Sequence, residues 1–338
     1  MKTKKRILVT GGLGYIGSHT VVELQEAGYE VYIIDNLSNS RPGVADRIAS
    51  ITGIRPHTEI FDLQDRDRLL RYFQEHRIDG VIHFAASKAV GESVQKPLHY
   101  YRNNLVSLMN VLEAMRASGS RHIIFSSSCT VYGQADQMPI TENAPLKPAE
   151  SPYGNTKKIS EDILSDFAGV SDIRVVSLRY FNPIGAHPSA QIGELPLGVP
   201  QNLVPFITQT AAGIREELSV FGSDYPTPDG TAIRDYIHVV DLAQAHIAAL
   251  KYLSEGKNSD TIEFFNVGTG KGSSVLEVIH AFERATGVKL RYKMAPRRPG
   301  DITEAYADTT KANRILGWKA RKTLEQALYD AWQWQKTL

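Results

Sequence analysis

The chain has 338 residues, 42% of them hydrophobic and 22% charged, which is enough for one large globular domain or two unequal ones. Lys and Arg number 38 against 37 Asp and Glu, so no global basic field draws nucleic acid. A lone cysteine, Cys129, excludes an internal disulfide framework and a multi-cysteine metal site, and no stretch nears the ~20 apolar residues of a membrane span.

The basic opening MKTKKR reads as a solvated tail; ILVTGG follows at once, too short for a signal-peptide core, and a cytoplasmic chain is expected. Short β-branched runs then alternate with amphipathic segments. Strands are expected at 6–10, 31–35, 58–61, 80–84, 122–126 and 175–179, and helices at 18–27, 65–76, 98–118 and 152–167. This alternation argues for a Rossmann-type α/β fold, a doubly wound parallel sheet buried on both faces. Beyond Arg179 the texture changes. Residues 182–205 are rich in Pro and Gly, and a loop of that length is usually functional. Short strands (218–221, 236–239, 290–294) and helices (242–252, 275–286, 324–335) come next, with 262–267 apolar enough to rejoin the main sheet. The expected organisation is a dinucleotide-type domain over 1–181 and a smaller mixed α/β substrate domain over 182–338, partly interleaved with the first.

The first strand runs into TGGLGYIG, which spaces Gly11, Gly14 and Gly17 as G-x-x-G-x-x-G before a helix. Glycines there let backbone N–H groups approach a pyrophosphate at the helix's positive end. Strand two ends in Asp35, eighteen residues beyond Gly17. A carboxylate there accepts adenosine ribose hydroxyls and repels a 2′-phosphate, which favours NAD over NADP; a turn-capping Asp is the plainer alternative. Asp62, after strand three, either caps the next helix or meets the adenine amino group.

Strand five ends in FSSSCTVYG and brings Ser126, Ser127 and Ser128 to the sheet's carboxyl edge. SPYGNTKK then opens a helix, with Ser151 and Pro152 suited to N-cap and N1. Tyr153 and Lys157 are four apart and share a helical face. A phenol titrates near pH ~10, and a fixed ammonium plus an oxidised nicotinamide would favour its phenolate. With Ser128 hydrogen-bonding the same oxygen, Tyr153 becomes a base that takes a hydroxyl proton while a hydride leaves the same carbon. Cys129 is better read as a packed small residue than as a nucleophile. His83 and His238, in apolar runs, read as core histidines, and the ten histidines form no metal-binding spacing.

This assembly resembles the extended short-chain dehydrogenase/reductase superfamily. Phe84–Asn104, SPYGNTK, RYFNPIGAHPS, DGTAIRDYIHVVDLA and APRRPGD resemble the UDP-glucose (UDP-galactose) 4-epimerases within it. The resemblance implies a cycle in which NAD stays bound. Tyr153 deprotonates the sugar 4-hydroxyl, NAD takes the C4 hydride, the 4-keto sugar turns over, and the hydride returns to its other face. It also implies that Lys157 and Asn103 hold nicotinamide ribose, that Lys88 neutralises the pyrophosphate, and that Phe84, Ala85, Tyr180 and Pro183 wall the cofactor. Tyr15, Ile16, Asn36, Asn39, Ser40, Leu63 and Ser126 complete that implied set.

For the UDP-sugar, the resemblance assigns Arg234 and Arg298 to the diphosphate, where a planar fork donates paired hydrogen bonds. It assigns Asn182, Asn202, Leu203 and Tyr236 to the substrate, Phe221 to uracil and Asp301 to ribose; Arg297 reads as a structural charge. Ala305 falls at a gate position that is a bulky aromatic or a small residue in this family. Alanine implies room for N-acetylated sugars (UDP-GlcNAc, UDP-GalNAc), unless Tyr306 or a shifted loop refills the space. The family also implies a homodimer through helices 98–118 and 152–167. Rival readings are a 4,6-dehydratase, whose extra acid chemistry Cys129 and Thr130 do not supply, a releasing dehydrogenase, and an NAD-binding sensor.

Overall fold

The computed structural model describes residues 4–298 and 300–338; Met1–Thr3, part of the basic opening, lie outside it. Strands β1 (Arg6–Thr10), β2 (Glu30–Asp35), β3 (His57–Ile60), β4 (Gly80–His83), β5 (His122–Ser126) and β6 (Arg174–Tyr180) pair in parallel. The short β7 (Asn182–Ile184), β8 (Leu218–Phe221), β9 (Ile233–Arg234) and β10 (Tyr236–His238) follow, and then β11 (Ile262–Val267) returns to pair in parallel with β6. The seven-stranded order is β11-β6-β5-β4-β1-β2-β3. Chain direction across the sheet reverses between β1 and β4, the kind of crevice where ligands collect in doubly wound sheets.

The period of two explains the layers. Along β1, Ile7 and Val9 join a core with Val21 and Val22 of α1 (Tyr15–Glu26) and, later in the chain, Leu242, Ala245 and Ala249. Leu8 faces the other way, to Leu69 and Phe73 and to Leu108, Val111 and Met115. Here α2 is Val44–Thr52, α3 Arg66–His76, α4 Val90–Gln95, α5 Pro97–Tyr101, α6 Ser107–Ser118 and α7 Pro152–Gly169. At about 1.5–3 kcal/mol for each fully buried large aliphatic, both faces are strongly held.

The expected single helix over 98–118 is instead α5 and α6 joined by a π-helical turn, Arg102–Val106. The loop 182–205 contains β7 and leads into α8 (Leu203–Ala211), which was not expected. A third core joins α8, α10 (Val275–Thr286), α11 (Leu324–Gln335), β8 and β10, whereas α9 (Val239–Ser254) packs against α1 of the main sheet. Three further short strands, β12 (Ser273–Ser274), β13 (Tyr292–Ala295) and β14 (Glu304–Ala305), frame the second half. β13 lies beside β8, and β9 runs between β12 and β14. Among the described residues no helix is long and apolar enough to cross a membrane, and no cluster of three metal-ligating side chains occurs.

Candidate active site

A cavity of about 1,820 Å³ lies over the carboxyl edge of the sheet and runs into the second half. Pockets for one small ligand usually hold about 300–1,000 Å³, so this cavity is larger than a single such ligand needs. All the candidate residues from the Gly loop to Ala305 line it, whereas Arg297, Tyr306, His83 and His238 do not.

The glycine spacing has a steric cause. Gly11 adopts φ +69°, and a Cβ on Gly17 would sit 2.2 Å from the Gly11 carbonyl oxygen. No side chain fits there without moving the turn. Asp35 fixes the loop from the far side. Its Oδ2 accepts from the Leu13 N–H (3.1 Å), and its Oδ1 from the Leu37 N–H (2.9 Å) and the Ser40 hydroxyl (2.7 Å). Asp62 does not cap α3: that role falls to Asp65, which accepts from the Arg68 N–H at 3.1 Å. Asp62 accepts instead from the Asn36 amide (3.0 Å) and the Gln64 N–H (2.8 Å) at the cavity edge. The π-helical turn presents consecutive residues inward. Asn104 exchanges hydrogen bonds with Ser87 and donates to Thr156, and Asn103 donates to the Ser87 hydroxyl at 3.3 Å.

At the centre, Ser151 caps α7 by accepting from the Gly154 N–H at 3.2 Å, with Pro152 at the first helical position. That start aims Tyr153 and Lys157 at the end of β5. Lys157 donates to the Ser126 carbonyl at 2.6 Å, and its ammonium lies 6.0 Å from the centre of the Tyr153 ring. Burial lowers the Lys157 pKa to about 8, opposed by Glu161. Burial also raises the Tyr153 phenol, Tyr180 adds to that, and the adjacent Ser128 hydroxyl pulls the other way. The lowering expected of the phenol draws on a nicotinamide charge as well as the ammonium; here the ammonium is turned toward the Ser126 carbonyl, and desolvation dominates. Ser126 and Tyr180 share a 2.6 Å hydrogen bond beside the pair. Burial pushes the Cys129 thiol up to about 12, which suits no thiolate role.

The residue that anchors this centre, Glu161, was not singled out from sequence. Only 3% exposed, it accepts from Ser127 (2.7 Å), Ser177 (2.9 Å) and both Nε (3.0 Å) and Nη2 (2.7 Å) of Arg179. Arg179 continues to the Tyr132 hydroxyl (3.0 Å), which donates to Asn266 at 2.7 Å. A glutamate one turn beyond Lys157 looks like any helix-surface charge; its only sequence signal is the pairing with an arginine inside an apolar strand.

At the far end, β9 sets Arg234 beside Ala305 of β14. Arg234 donates to the Ile233 and Ile302 carbonyls, both at 2.8 Å, and stands 4.0 Å from Asp301. Arg298 donates to Asp301 at 2.9 Å and lies over the Phe221 ring, 5.0 Å from its centre. Arg297 points away to Asp224 and Tyr225. Asp235, also missed, holds β14 in place: it accepts from the Ala307, Thr269 and Gly270 N–H groups. Ala305 is 2% exposed, and Tyr306 packs over Gly272 instead of refilling the cavity.

A family model described as GDP-mannose 4,6 dehydratase matches residues 8–331. The UDP-glucose 4-epimerase of Yersinia pestis is 52% identical over 331 residues, 97% of each chain, and that of Bacillus subtilis is 52% identical over 98% of this chain and 97% of its own. A UDP-glucose 4-epimerase structure from Stenotrophomonas maltophila, with bound NAD and formylated UDP-arabinopyranose, superposes with a TM-score of 0.96 at 49% identity over 98% of each chain. The UDP-Glc/GlcNAc 4-epimerase of Campylobacter jejuni follows at TM-score 0.85 and 36% identity, over 99% of this chain and all of that one. The chain thus belongs to the extended short-chain dehydrogenase/reductase family that this model describes and, inside it, to the UDP-glucose 4-epimerases.

Proposed function

We propose that this protein interconverts UDP-glucose and UDP-galactose by inverting C4, with NAD as its resident cofactor. The observation that carries this is one cavity joining the glycine cradle, the Tyr153–Lys157–Ser128 centre and the Arg234–Arg298 end. The residues fit NAD: the Gly11–Gly17 turn packs so closely on its own backbone that Gly17 admits no side chain, which leaves the start of α1 bare for a phosphate, and Asp35 at the end of β2 matches unphosphorylated ribose. Gly11, Gly14, Tyr15, Ile16, Asp35 and Lys88 would hold its adenosine and pyrophosphate, and Asn103, Lys157, Tyr180 and Pro183 its nicotinamide half. Bound NAD would supply a hydride acceptor that later returns the hydride.

The chain's own work is proton handling and orientation. Tyr153 takes the proton of the 4-hydroxyl and gives one back to the 4-keto oxygen on the return. Ser128 donates to that oxygen and shares its developing charge. Arg234 and Arg298 grip the diphosphate, so the sugar can turn while the nucleotide stays fixed. Asp301 exchanges its arginine partner for ribose hydroxyls when the substrate arrives, and Phe221 packs on uracil. A 4,6-dehydratase would need an acid beside Ser128, where Cys129 and Thr130 stand.

Two finer readings follow. Ala305 leaves the C2 side of the sugar open, which supports turnover of UDP-GlcNAc and UDP-GalNAc; the Campylobacter jejuni relative is titled for both sugar types. Exposed Val90, Val94, Leu98 (79%) and Met109 around α4–α6 support a homodimer through that face. The test is product analysis of purified protein with each UDP-hexose and no added cofactor. Equilibration of the two sugars is expected, and net oxidation that depends on external NAD refutes it. Tyr153→Phe should lower kcat by about 10²–10⁴-fold.

A further inference from the structure

Residues 191–197 and 199–202 line the cavity, and Glu194 among them touches residues of both halves of the site. Its Oε1 accepts from Lys88 Nζ at 3.3 Å and from Asn202 Nδ2 at 2.6 Å. Its backbone carbonyl accepts from the Trp334 indole at 3.0 Å. Gly193 presses on that indole, so closely that a Cβ there would lie 2.3 Å from Trp334 Cδ1. From the sheet side, Arg47 donates to the Gln191 carbonyl at 3.2 Å, and its guanidinium lies over the Trp334 ring at 5.0 Å. The segment is therefore a strap whose backbone is held by Trp334 and Arg47 and whose Glu194 carboxylate fastens it to Lys88 and Asn202.

We propose that Glu194 is a positioning residue, a latch that holds the strap closed over the pyrophosphate reach and sets how slowly the cofactor leaves. This rests on the reading that NAD occupies the cavity. A carboxylate here would repel a pyrophosphate if it stood alone. Lys88 resolves the conflict, because an ammonium has three donors and can serve Glu194 and a phosphate oxygen together. Asn202 precedes α8 without capping it, so its amide is free to carry the second half of the latch.

The test uses wild-type protein, Glu194→Ala and Glu194→Gln, each loaded with NAD and desalted. Released NAD is trapped by a coupled dehydrogenase and timed, at low and high salt. Breaking a charge-assisted contact should make Glu194→Ala release NAD about tenfold faster. Glu194→Gln should fall between the two and lose the salt sensitivity that screening of the ion pair gives the wild type. Trp334→Phe, which removes the indole donor to the Glu194 backbone carbonyl and leaves the carboxylate's own partners in place, should also release faster, and thermal unfolding of all variants tracks folding. Release at the wild-type rate or slower in folded Glu194→Ala, from a wild type that does retain NAD, overturns the latch alone. A wild type that binds no NAD overturns the cofactor reading beneath it as well.

Discussion

Replacing Glu161 by Gln tests whether the buried pair behind the active centre is structural to it. The two side chains are nearly inaccessible, 3% exposed for Glu161 and 5% for Arg179, and they meet at 2.7 Å. The substitution keeps the shape but removes the charge that four donors address, leaving the Arg179 guanidinium uncompensated in the core. Breaking a buried pair from one side costs about 3–5 kcal/mol. For a chain of this size the unfolding entropy is about 0.7 kcal/mol/K, so the midpoint should fall by about 4–7 °C. Calorimetry reads this directly. kcat should fall too, because Glu161 ties Ser127 to α7 and so sets the neighbouring Ser126 carbonyl that Lys157 uses. A double replacement, Glu161→Leu with Arg179→Met, should recover most of the stability and little of the activity, since apolar pairs substitute well for buried ions. A midpoint drop under about 1 °C for Glu161→Gln would refute this reasoning, because it would mean that the buried charge needs no partner.

Gly17→Ala forces a Cβ to within 2.2 Å of the Gly11 carbonyl, so the turn must shift. Overpacking of this kind costs about 1–3 kcal/mol, and NAD affinity by calorimetric titration should fall accordingly, while secondary structure by circular dichroism is kept. Lys157 has its pKa lowered by burial, from 10.5 unfolded to about 8 folded. Between those values the unfolded chain binds more protons, so the Lys157 contribution to stability rises with pH across the window. Melting curves of cofactor-free protein should show that rise, and Lys157→Met should lack it. Ala305→Tyr should lower kcat/KM for the N-acetylated pair about 10–200-fold relative to the unmodified pair, measured by product chromatography, and an unchanged ratio removes the gate.

Much of this was legible because local physics and fold agree. The runs at β1 and β5 were read to the residue, since both are short, β-branched and bounded by Gly or Ser. The helix start in SPYGNTKK was legible because its cap and its proline are local, and the four-residue spacing of Tyr153 and Lys157 sets their shared face. What failed to show was long-range. Glu194 gains its meaning from Lys88, 106 positions away, and Glu161 from Arg179, and an isolated glutamate carries no sign of either partner. The π-helical turn hid inside a sound helical pattern. It adds a residue to the turn so that Asn103 and Asn104 both meet Ser87, a placement that periodicity cannot announce. Asp62 was open between two roles because a cap is decided within one turn, and Asp65 stood three positions nearer the helix.

The raised phenol of Tyr153 has a functional logic of its own. Burial, with Tyr180 adding to it, holds the group above the ordinary phenol range, while Lys157 faces a carbonyl. On the proposed reading the base is assembled but stays protonated. Any positive charge brought against the ring, or an ammonium redrawn toward it by a ribose hydroxyl, acts in the same low-dielectric space and is stronger there than in water. Burial thus both disfavours the phenolate and amplifies any charge that stabilises it. On the proposed mechanism, proton abstraction by Tyr153 would therefore depend on a positive charge placed beside the ring.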